Sequence, residues 1–164
     1  MPPGRGLYPE DLTREELERY VAAHPQQKDE LYSPYSVVRR RGDSLEAIPY
    51  HIAFRQFLIP AAGALKEAAD LSDDKAFAGF LRLRADALLS DDYFQSDLAW
   101  VDLANPKFDV ILAPYETYLD GVLGVKTSYG AAVMIRNEAE TSKLATYQQH
   151  VPELQDALPL AVRE

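Results

Sequence analysis

The chain has 164 residues, of which 47% are hydrophobic and 26% are charged, a composition typical of one globular domain with a packed core. Its formal net charge of −9 argues against non-specific nucleic-acid binding, which depends on Lys and Arg. Cysteine is absent, which excludes disulfides and thiolate metal sites. We find neither a signal peptide in the opening residues nor a membrane span of about 20 apolar residues, so we expect a cytoplasmic protein with no membrane partner.

The first elements are a helix and a hairpin. Thr13 and Glu16 have the spacing of a capping box, which predicts that a helix begins at Thr13, and Pro25 ends it. Residues 35–48 contain two short strand-like runs around Gly42 and Asp43, a turn pair that predicts an antiparallel hairpin.

Residues 49–103 carry a helical pattern. One apolar stripe repeats at Phe54, Leu58, Ala61 and Leu65, and Pro60 is expected to kink or split that helix. A second helix is predicted to begin at Ser72–Asp74, whose hydroxyl and carboxylates suit a helix N-terminus. Its stripe is Phe77, Phe80, Leu81 and Leu88. A short polar loop joins the two helices, so they are expected to pack antiparallel, and a third helix is predicted near residues 91–103.

Two strands and a final helix complete the prediction. Residues 108–113 and 129–135 are apolar runs bounded by Pro and Gly, as buried strands are. Residues 138–150 form an amphipathic pattern that Pro152 is expected to end or bend. The fold class is therefore α+β, with helices packed on a small mixed or antiparallel sheet formed by the hairpin and these strands, and residues 1–164 forming a single domain.

The segment between the two strands holds the candidate functional side chains. Glu116, Tyr118, Asp120 and Lys126 interrupt the most apolar part of the chain, and polar groups held between rigid strands make suitable substrate contacts. The pattern leaves several roles open for the carboxylates of Glu116 and Asp120. The possible roles are a catalytic acid–base pair, structural caps, an ion pair with Lys126, or contacts to a substrate.

The sequence offers no other catalytic or metal centre. The three histidines, His24, His51 and His150, are not spaced as a metal-binding helix requires, and HExxH is absent. The chain also lacks GxSxG, and Gly121 with Gly124 gives only GxxG. We therefore predict no catalytic residue, no metal ligand and no bound cofactor in this chain.

From Ala113 to Leu158 the sequence resembles the dipeptidyl-peptidase III family, especially its shorter bacterial branch. The pattern is E-[ST]-Y followed by Asp and Gly, then a V-x-[IV] strand, then a Lys-containing helix that ends in L-x-x-x-L-P. The matching residues are Glu116, Thr117, Tyr118, Asp120, Gly121, Val133, Ile135, Lys143, Leu154, Leu158 and Pro159. The upstream segments YPEDLTREELERY and SPYSVVRR are also similar.

The resemblance implies a middle section of a larger, two-lobed zinc metallopeptidase. One lobe of such a protein aligns a peptide in extended form, and the other carries zinc on an HExxGH-type helix, a motif that this sequence lacks. The implied function is to supply the peptide-aligning part of the cleft, inactive alone, with Glu116, Tyr118, Asp120 and Lys126 as substrate contacts. Its partners would be a peptide substrate or a zinc-bearing complementary region.

Two alternatives are also consistent with the sequence. The first is a non-catalytic acidic protein-interaction domain that keeps the fold without the chemistry. The second is an independent hydrolase that uses Glu116 and Asp120.

Overall fold

The computed structural model describes residues 6–159 and has an α+β fold, which confirms the predicted class. The opening segment, on which the absence of a signal peptide was judged, lies mostly outside this range. The elements are α1 (Arg14–Ala23), α2 (Lys28–Leu31), β1 (Ser36–Arg41), β2 (Ser44–Pro49), α3 (Tyr50–Ala53), α4 (Arg55–Leu71), α5 (Lys75–Leu88), α6 (Phe94–Val101), β3 (Phe108–Glu116), β4 (Ser128–Ile135) and α7 (Glu138–Asp156).

The N-terminal helix and hairpin form where the sequence predicts them. The Thr13 hydroxyl accepts the backbone N–H of Glu16 at 3.1 Å, which caps α1. Strands β1 and β2 pair antiparallel with Arg41 opposite Ser44. Gly42 lies between them at φ +57°, a backbone conformation that favours glycine.

Helices α4 and α5 pack together and build the larger of two apolar cores. The Asp74 carboxylate caps α5 by accepting the N–H groups of Ala76 and Phe77, as predicted. Of the two outcomes expected at Pro60, a kink or a split, the split does not occur, because α4 runs through Pro60 from Arg55 to Leu71. Pro60 lies on the exposed side near the start of α4, where water can satisfy the carbonyl group that loses its partner.

The four strands form two separate sheets instead of the single sheet that the sequence suggested. Each sheet has two antiparallel strands, β1–β2 and β3–β4. The first packs with α1 in a small core, and the second packs on α4 and α5 in the larger one. Thr127 connects them, since its N–H donates to the Pro34 carbonyl and its own carbonyl accepts the Tyr50 hydroxyl.

The hydrogen-bond pattern of the β3–β4 ribbon fixes which backbone groups point outward. The Arg136 N–H donates to the Lys107 carbonyl at 2.9 Å, one position beyond the pairing of Phe108 with Ile135. Paired residues alternate in an antiparallel ladder. Lys107 and the odd-numbered β3 residues from 109 to 113 therefore bond to residues 130–136. The N–H and C=O groups of Tyr129, Ala131, Val133 and Ile135 face away from β3. Pro114 sits at a non-bonded position, on the outer edge of β3.

Helix α7 lies away from both cores. It continues through Pro152 to Asp156, and none of its residues is buried. Its large apolar side chains are exposed and follow a spacing of three and four residues, which places Leu144, Tyr147, Val151 and Leu154 on one face. No helix between residues 6 and 159 has the length and apolar character needed to cross a bilayer.

Candidate functional site

The candidate site is built on residues 117–127, the loop that joins β3 to β4. A register shift between Pro114 and Glu116 gives β3 a bulge at its end, which turns the strand as bulges do. The loop then folds back through a turn in which the Asp120 N–H donates to the Thr117 carbonyl at 2.9 Å. Gly124 adopts φ +77°, so the loop needs glycine there.

Asp120 holds this loop in one conformation. Its side chain is buried and accepts five hydrogen bonds. Oδ1 accepts the N–H groups of Val122 at 2.9 Å and Leu123 at 3.0 Å, and Oδ2 accepts the Tyr8 hydroxyl at 2.8 Å, the Val125 N–H at 2.9 Å and the Lys126 N–H at 2.8 Å. Burial acts to raise the pKa of Asp120, but the hydrogen bonds outweigh it and lower the pKa below its usual value. The carboxylate is therefore ionised and organises the loop.

Lys126 connects the same loop to the N-terminal hairpin. Its side chain is 0% exposed, and its ammonium group donates to three oxygen atoms, each at 2.7 Å. They are the Leu31 carbonyl, the Ser33 carbonyl and the Ser36 hydroxyl. Burial lowers the pKa of Lys126 to about 8, and the charge of Asp120 opposes that change.

Asp120 and Lys126 thus act as structural groups in this conformation. Their side chains do not form the ion pair that the sequence left open as one alternative, because Asp120 accepts the backbone N–H of Lys126 while the ammonium group donates to Leu31, Ser33 and Ser36. Neither side chain offers an exposed polar atom to a substrate. Asp120 is also unsuited to acid–base work, since both of its oxygens already accept hydrogen bonds.

Glu116 and Tyr118 remain accessible at the end of β3. Both side chains are exposed, and that of Tyr118 is 77% exposed. The Glu116 backbone is held by pairing with Ser128, whose hydroxyl donates to the Glu116 carbonyl at 3.1 Å. A carboxylate and a phenol therefore project from a fixed backbone, and Glu116 and Tyr118 are the two sequence-predicted site residues whose side chains are exposed.

Sequence reasoning missed an ionic group next to this site. Arg84 is buried, and its Nη2 donates to Asp97 Oδ1 at 2.6 Å. The same oxygen accepts the Tyr115 hydroxyl at 2.7 Å. Burial and this hydrogen bond raise the pKa of Tyr115 to about 12, so the hydroxyl stays a donor. The cluster anchors Tyr115 immediately before Glu116.

The signal for this group was present in the α5 stripe. Arg84 comes four residues after Phe80 and three after Leu81, so it lies on the buried face of the helix. Its guanidinium carbon lies 5.5 Å from the Phe80 ring centre and 5.6 Å from those of Tyr93 and Tyr115, within the range of cation–π attraction. A charged residue on an apolar stripe therefore marked a buried ion pair.

No metal-binding constellation of three or more His, Cys, Asp or Glu side chains occurs among residues 6–159. One smaller group is a pair, in which His51 Nδ1 lies 2.8 Å from Asp91 Oδ2 and Asp91 also accepts the His51 backbone N–H. A catalytic zinc site needs three protein ligands, so these residues do not fit one.

Comparison with known proteins gives consistent matches, each to a small part of a longer protein. No family profile matches the chain. Dipeptidyl-peptidase III from Caldithrix abyssi is 38% identical with a TM-score of 0.89, over 98% of this chain and 30% of that one. Dipeptidyl-peptidase III from Corallococcus sp. strain EGB is 34% identical with a TM-score of 0.78, over 95% and 29%. Nudix hydrolase 3 of Arabidopsis thaliana is 31% identical over 97% of this chain but only 23% of its own length. The chain thus spans less than a third of each relative, and the predicted resemblance to dipeptidyl-peptidase III is confirmed in sequence and fold.

Proposed function

We propose that this chain, which is dipeptidyl-peptidase III-like in sequence and fold, supplies the peptide-aligning part of the cleft in a zinc metallopeptidase of that kind and is inactive alone. The observation that carries the proposal is the exposed pair Glu116 and Tyr118 on a rigidly anchored loop. The two solved relatives, each described as a dipeptidyl-peptidase III, support it.

The chemistry of the exposed pair suits the amino end of a peptide. A carboxylate attracts a protonated amino group through a charge-assisted hydrogen bond, which is stronger than a neutral one. A phenol offers both a hydroxyl and an aromatic face to the neighbouring residue. Because Glu116 and Tyr118 flank Thr117 at a strand end, they can contact adjacent parts of one extended chain.

The anchoring beneath the pair adds to its affinity for a peptide. Asp120 fixes the loop after Tyr118, and Arg84 with Asp97 fixes Tyr115 before Glu116. A contact group that is held in place before binding loses less conformational entropy when the ligand arrives. The extended peptide would lie against the sheet to which β3 and β4 belong, pairing by strand addition.

Hydrolysis requires a complementary zinc-bearing section. Zinc supplies a Lewis acid and an activated water molecule when it is bound in a metallopeptidase. The residues described here bind and orient the peptide and provide no ligand set for the ion. We therefore expect no peptidase activity from this chain alone and activity only when the complementary section is present.

A peptide titration tests the contact role directly. The probe is tetra-alanine with a free amino terminus, compared with its acetylated form, and binding is followed by NMR shifts of the amides of residues 115–119. Glu116→Gln should weaken binding of the free peptide about tenfold, the effect of one charge-assisted hydrogen bond, and leave the acetylated peptide unchanged. Tyr118→Ala should weaken both.

Glu18→Gln is the matched control, since it removes an exposed carboxylate on α1 and should leave both affinities as they are. Equal affinity of the free and acetylated peptides for the unmodified chain would refute the role given to Glu116. Zinc-dependent peptide hydrolysis by this chain alone would refute the proposal that hydrolysis requires a complementary zinc-bearing section.

A non-catalytic acidic interaction domain is the second candidate, and helix α7 favours it. An apolar face of four exposed side chains on a helix is typical of a surface that binds another helix, and the net charge of −9 suits a basic partner. This function predicts protein binding that Leu144→Glu abolishes and that Glu116→Gln leaves intact. The peptide-aligning function predicts instead that Glu116→Gln weakens the binding of tetra-alanine and that Leu144→Glu leaves it unchanged.

A further inference from the structure

Lys126 buries its ammonium group in a cage of three oxygen atoms. The cage consists of the Leu31 carbonyl, the Ser33 carbonyl and the Ser36 hydroxyl, each 2.7 Å from Nζ. Lys126 is 0% exposed, and a buried charge is costly unless protein groups replace the water that it loses. These three oxygens therefore act as the solvation shell of the cation.

The number of oxygens in the cage matches a primary ammonium group. Such a group has three N–H donors and no acceptor, and each donor of Lys126 has one oxygen at hydrogen-bond distance. The fourth bond of the nitrogen leads to the carbon stem of the side chain. The centre of the Tyr8 ring lies 5.9 Å from Nζ, within the range of cation–π attraction.

The acceptors of the cage are positioned by residues 30–36. Leu31 is the last residue of α2, and carbonyl groups at a helix C-terminus lack intrahelical partners and carry partial negative charge. The Ser36 hydroxyl donates its proton to the Glu30 carbonyl at 2.8 Å, which leaves its lone pairs for Nζ. The cage therefore belongs to a different part of the chain from the loop that carries Lys126.

The cage suits one positive charge. None of its three oxygens belongs to a carboxylate, whereas calcium takes about six to eight oxygens and uses carboxylates among them. The negative charge of Asp120 favours the ionised form of Lys126. Helix-end carbonyls, one hydroxyl and one nearby carboxylate thus match a monovalent cation.

The cage is also linked to the exposed pair of the candidate site. Lys126 precedes Thr127, whose N–H donates to the Pro34 carbonyl at 3.0 Å, and Ser128, which pairs with Glu116. Without a cation, three buried oxygens would lose their donors, which is costly. Residues 126–128 would then shift to expose those oxygens to water.

We propose that residues 30–36 form a binding site for a primary ammonium group, that Lys126 fills this site as a tethered cation, and that filling it holds the loop of residues 117–127 in place. Lys126 is then a positioning residue, since it contacts no substrate itself. Only the consequence for peptide binding rests on the proposed function.

Chemical rescue of Lys126→Ala tests this site. Alanine keeps Cβ, so n-propylammonium supplies the missing carbon stem and nitrogen, whereas ammonium supplies the nitrogen alone. The probes are chloride salts added at up to about 100 mM, well above the millimolar effective concentration of a short tether. The readout is NMR hydrogen exchange at the Val125 and Thr127 amides, which donate to Asp120 and Pro34.

We expect exchange at these two amides to be at least about tenfold faster in Lys126→Ala, because their segment loses its anchor. n-Propylammonium should return the rate to that of the unmodified chain. Ammonium should restore less, because its fourth N–H has no acceptor in the cage, and potassium should restore least, because it has no N–H to donate.

The controls separate charge, packing and ionic strength. n-Propanol has the stem without the charge, and tetramethylammonium has the charge without an N–H, so neither should restore Lys126→Ala. Lys126→Met fills the space of the stem and should respond to no probe. Lys143→Ala removes an exposed lysine that pairs with Glu140 and should leave the exchange rates unchanged. Protection of the Ala132 amide, which pairs with β3, shows that a variant is folded.

Ser36→Ala provides a second test in which Lys126 is kept. It removes one oxygen of the cage, so the Lys126 ammonium protons should exchange with water at least about tenfold faster, as followed by NMR. Ser44→Ala removes an exposed hydroxyl in the same hairpin and should leave that rate unchanged. If Lys126→Ala does not fold, this comparison decides the matter.

Several results would overturn the inference. They are equal restoration of Lys126→Ala by n-propanol, tetramethylammonium or potassium, and no restoration of folded Lys126→Ala by n-propylammonium. An unchanged rate in Ser36→Ala would do so as well. The affinity for tetra-alanine should fall in Lys126→Ala and recover with n-propylammonium. If amide exchange follows the prediction and this affinity does not, the proposed peptide contacts have failed and the ammonium site has not.

Discussion

Replacing Asp120 with asparagine tests whether one buried carboxylate holds the site loop. Asparagine keeps one oxygen, which can still accept the N–H groups of Val122 and Leu123. Its amide nitrogen would face three donors, the Tyr8 hydroxyl and the N–H groups of Val125 and Lys126. A hydrogen bond to a charged group contributes about 1.5–3 kcal/mol, and water can reach the half-buried Val125. We therefore expect the free energy of unfolding to fall by about 4 kcal/mol.

The measurement is urea denaturation followed by circular dichroism, with Asp43→Asn as the control. Asp43 is exposed in the β1–β2 turn, so the control makes the same charge change without burial and should shift the free energy of unfolding by less than about 0.5 kcal/mol. Because the pKa of Asp120 is lowered in the folded chain, its contribution is present above the unfolded pKa and disappears as the pH falls through the folded one. Asp120→Asn should therefore lose less stability on acidification than the unmodified chain.

If Asp120→Asn lowered the free energy of unfolding by less than about 1 kcal/mol, the value for an ordinary surface hydrogen bond, the role given to the Asp120 carboxylate would be refuted. It would also be refuted if the unmodified chain and Asp120→Asn showed the same acid dependence. Either result would mean that the loop is held by backbone packing and not by the Asp120 carboxylate.

Three further predictions concern the groups around the site. The folded pKa of Lys126, about 8, lies below its ordinary value of 10.5, so the unfolded chain binds more protons and stability should rise by about 2 kcal/mol between pH 8 and 10. Urea titrations at each pH should show this rise, and Lys126→Met should remove it while lowering stability at pH 7 by about 3–5 kcal/mol. Arg84→Met should change the free energy of unfolding by less than about 1.5 kcal/mol. Nε and Nη1 of Arg84 are buried without a hydrogen-bond partner among the described residues, and a well-packed apolar group often replaces such an ion at little cost. A loss of stability above about 3 kcal/mol would contradict this prediction. Gly124→Ala should cost about 1–2 kcal/mol in thermal unfolding, since φ is +77°, whereas Gly63→Ala inside α4 should be neutral or stabilising.

Local signals in the sequence predicted most of the elements. The Thr13 cap, the turn at Gly42 and the cap at Asp74 each depend on neighbours within a few residues, and all three formed where predicted. Pro60 failed as a boundary because its cost depends on whether the carbonyl group it exposes reaches water, which is a property of the packed helix. The single predicted sheet became two because sequence pattern does not show which core each hairpin packs against.

The residues of the candidate site differ in burial, and the amino-acid composition did not reveal which are exposed and which are buried. Glu116 and Asp120 are four residues apart, yet one is exposed and the other is enclosed by partners that are distant in sequence. Tyr8 is 112 positions from Asp120, and Leu31 is 95 positions from Lys126. No local pattern encodes such pairs, so the sequence alone did not show that Glu116 is exposed and that Asp120 is buried.

The position of Pro114 limits how this protein can self-associate. Pro114 lies at a non-bonded position of β3, so β3 offers no N–H there, and the Pro114 side chain is buried. On β4, each of the outward positions from Tyr129 to Ile135 keeps its N–H. A further strand can therefore add to the ribbon more readily beside β4 than beside β3. If two copies met in the absence of any other strand, they would join β4 to β4, and each new outer boundary would be a β3 strand that lacks an N–H at Pro114 and is a poorer template for the next copy. Association through this sheet should favour pairs, and concentrated solutions should form dimers before fibrils.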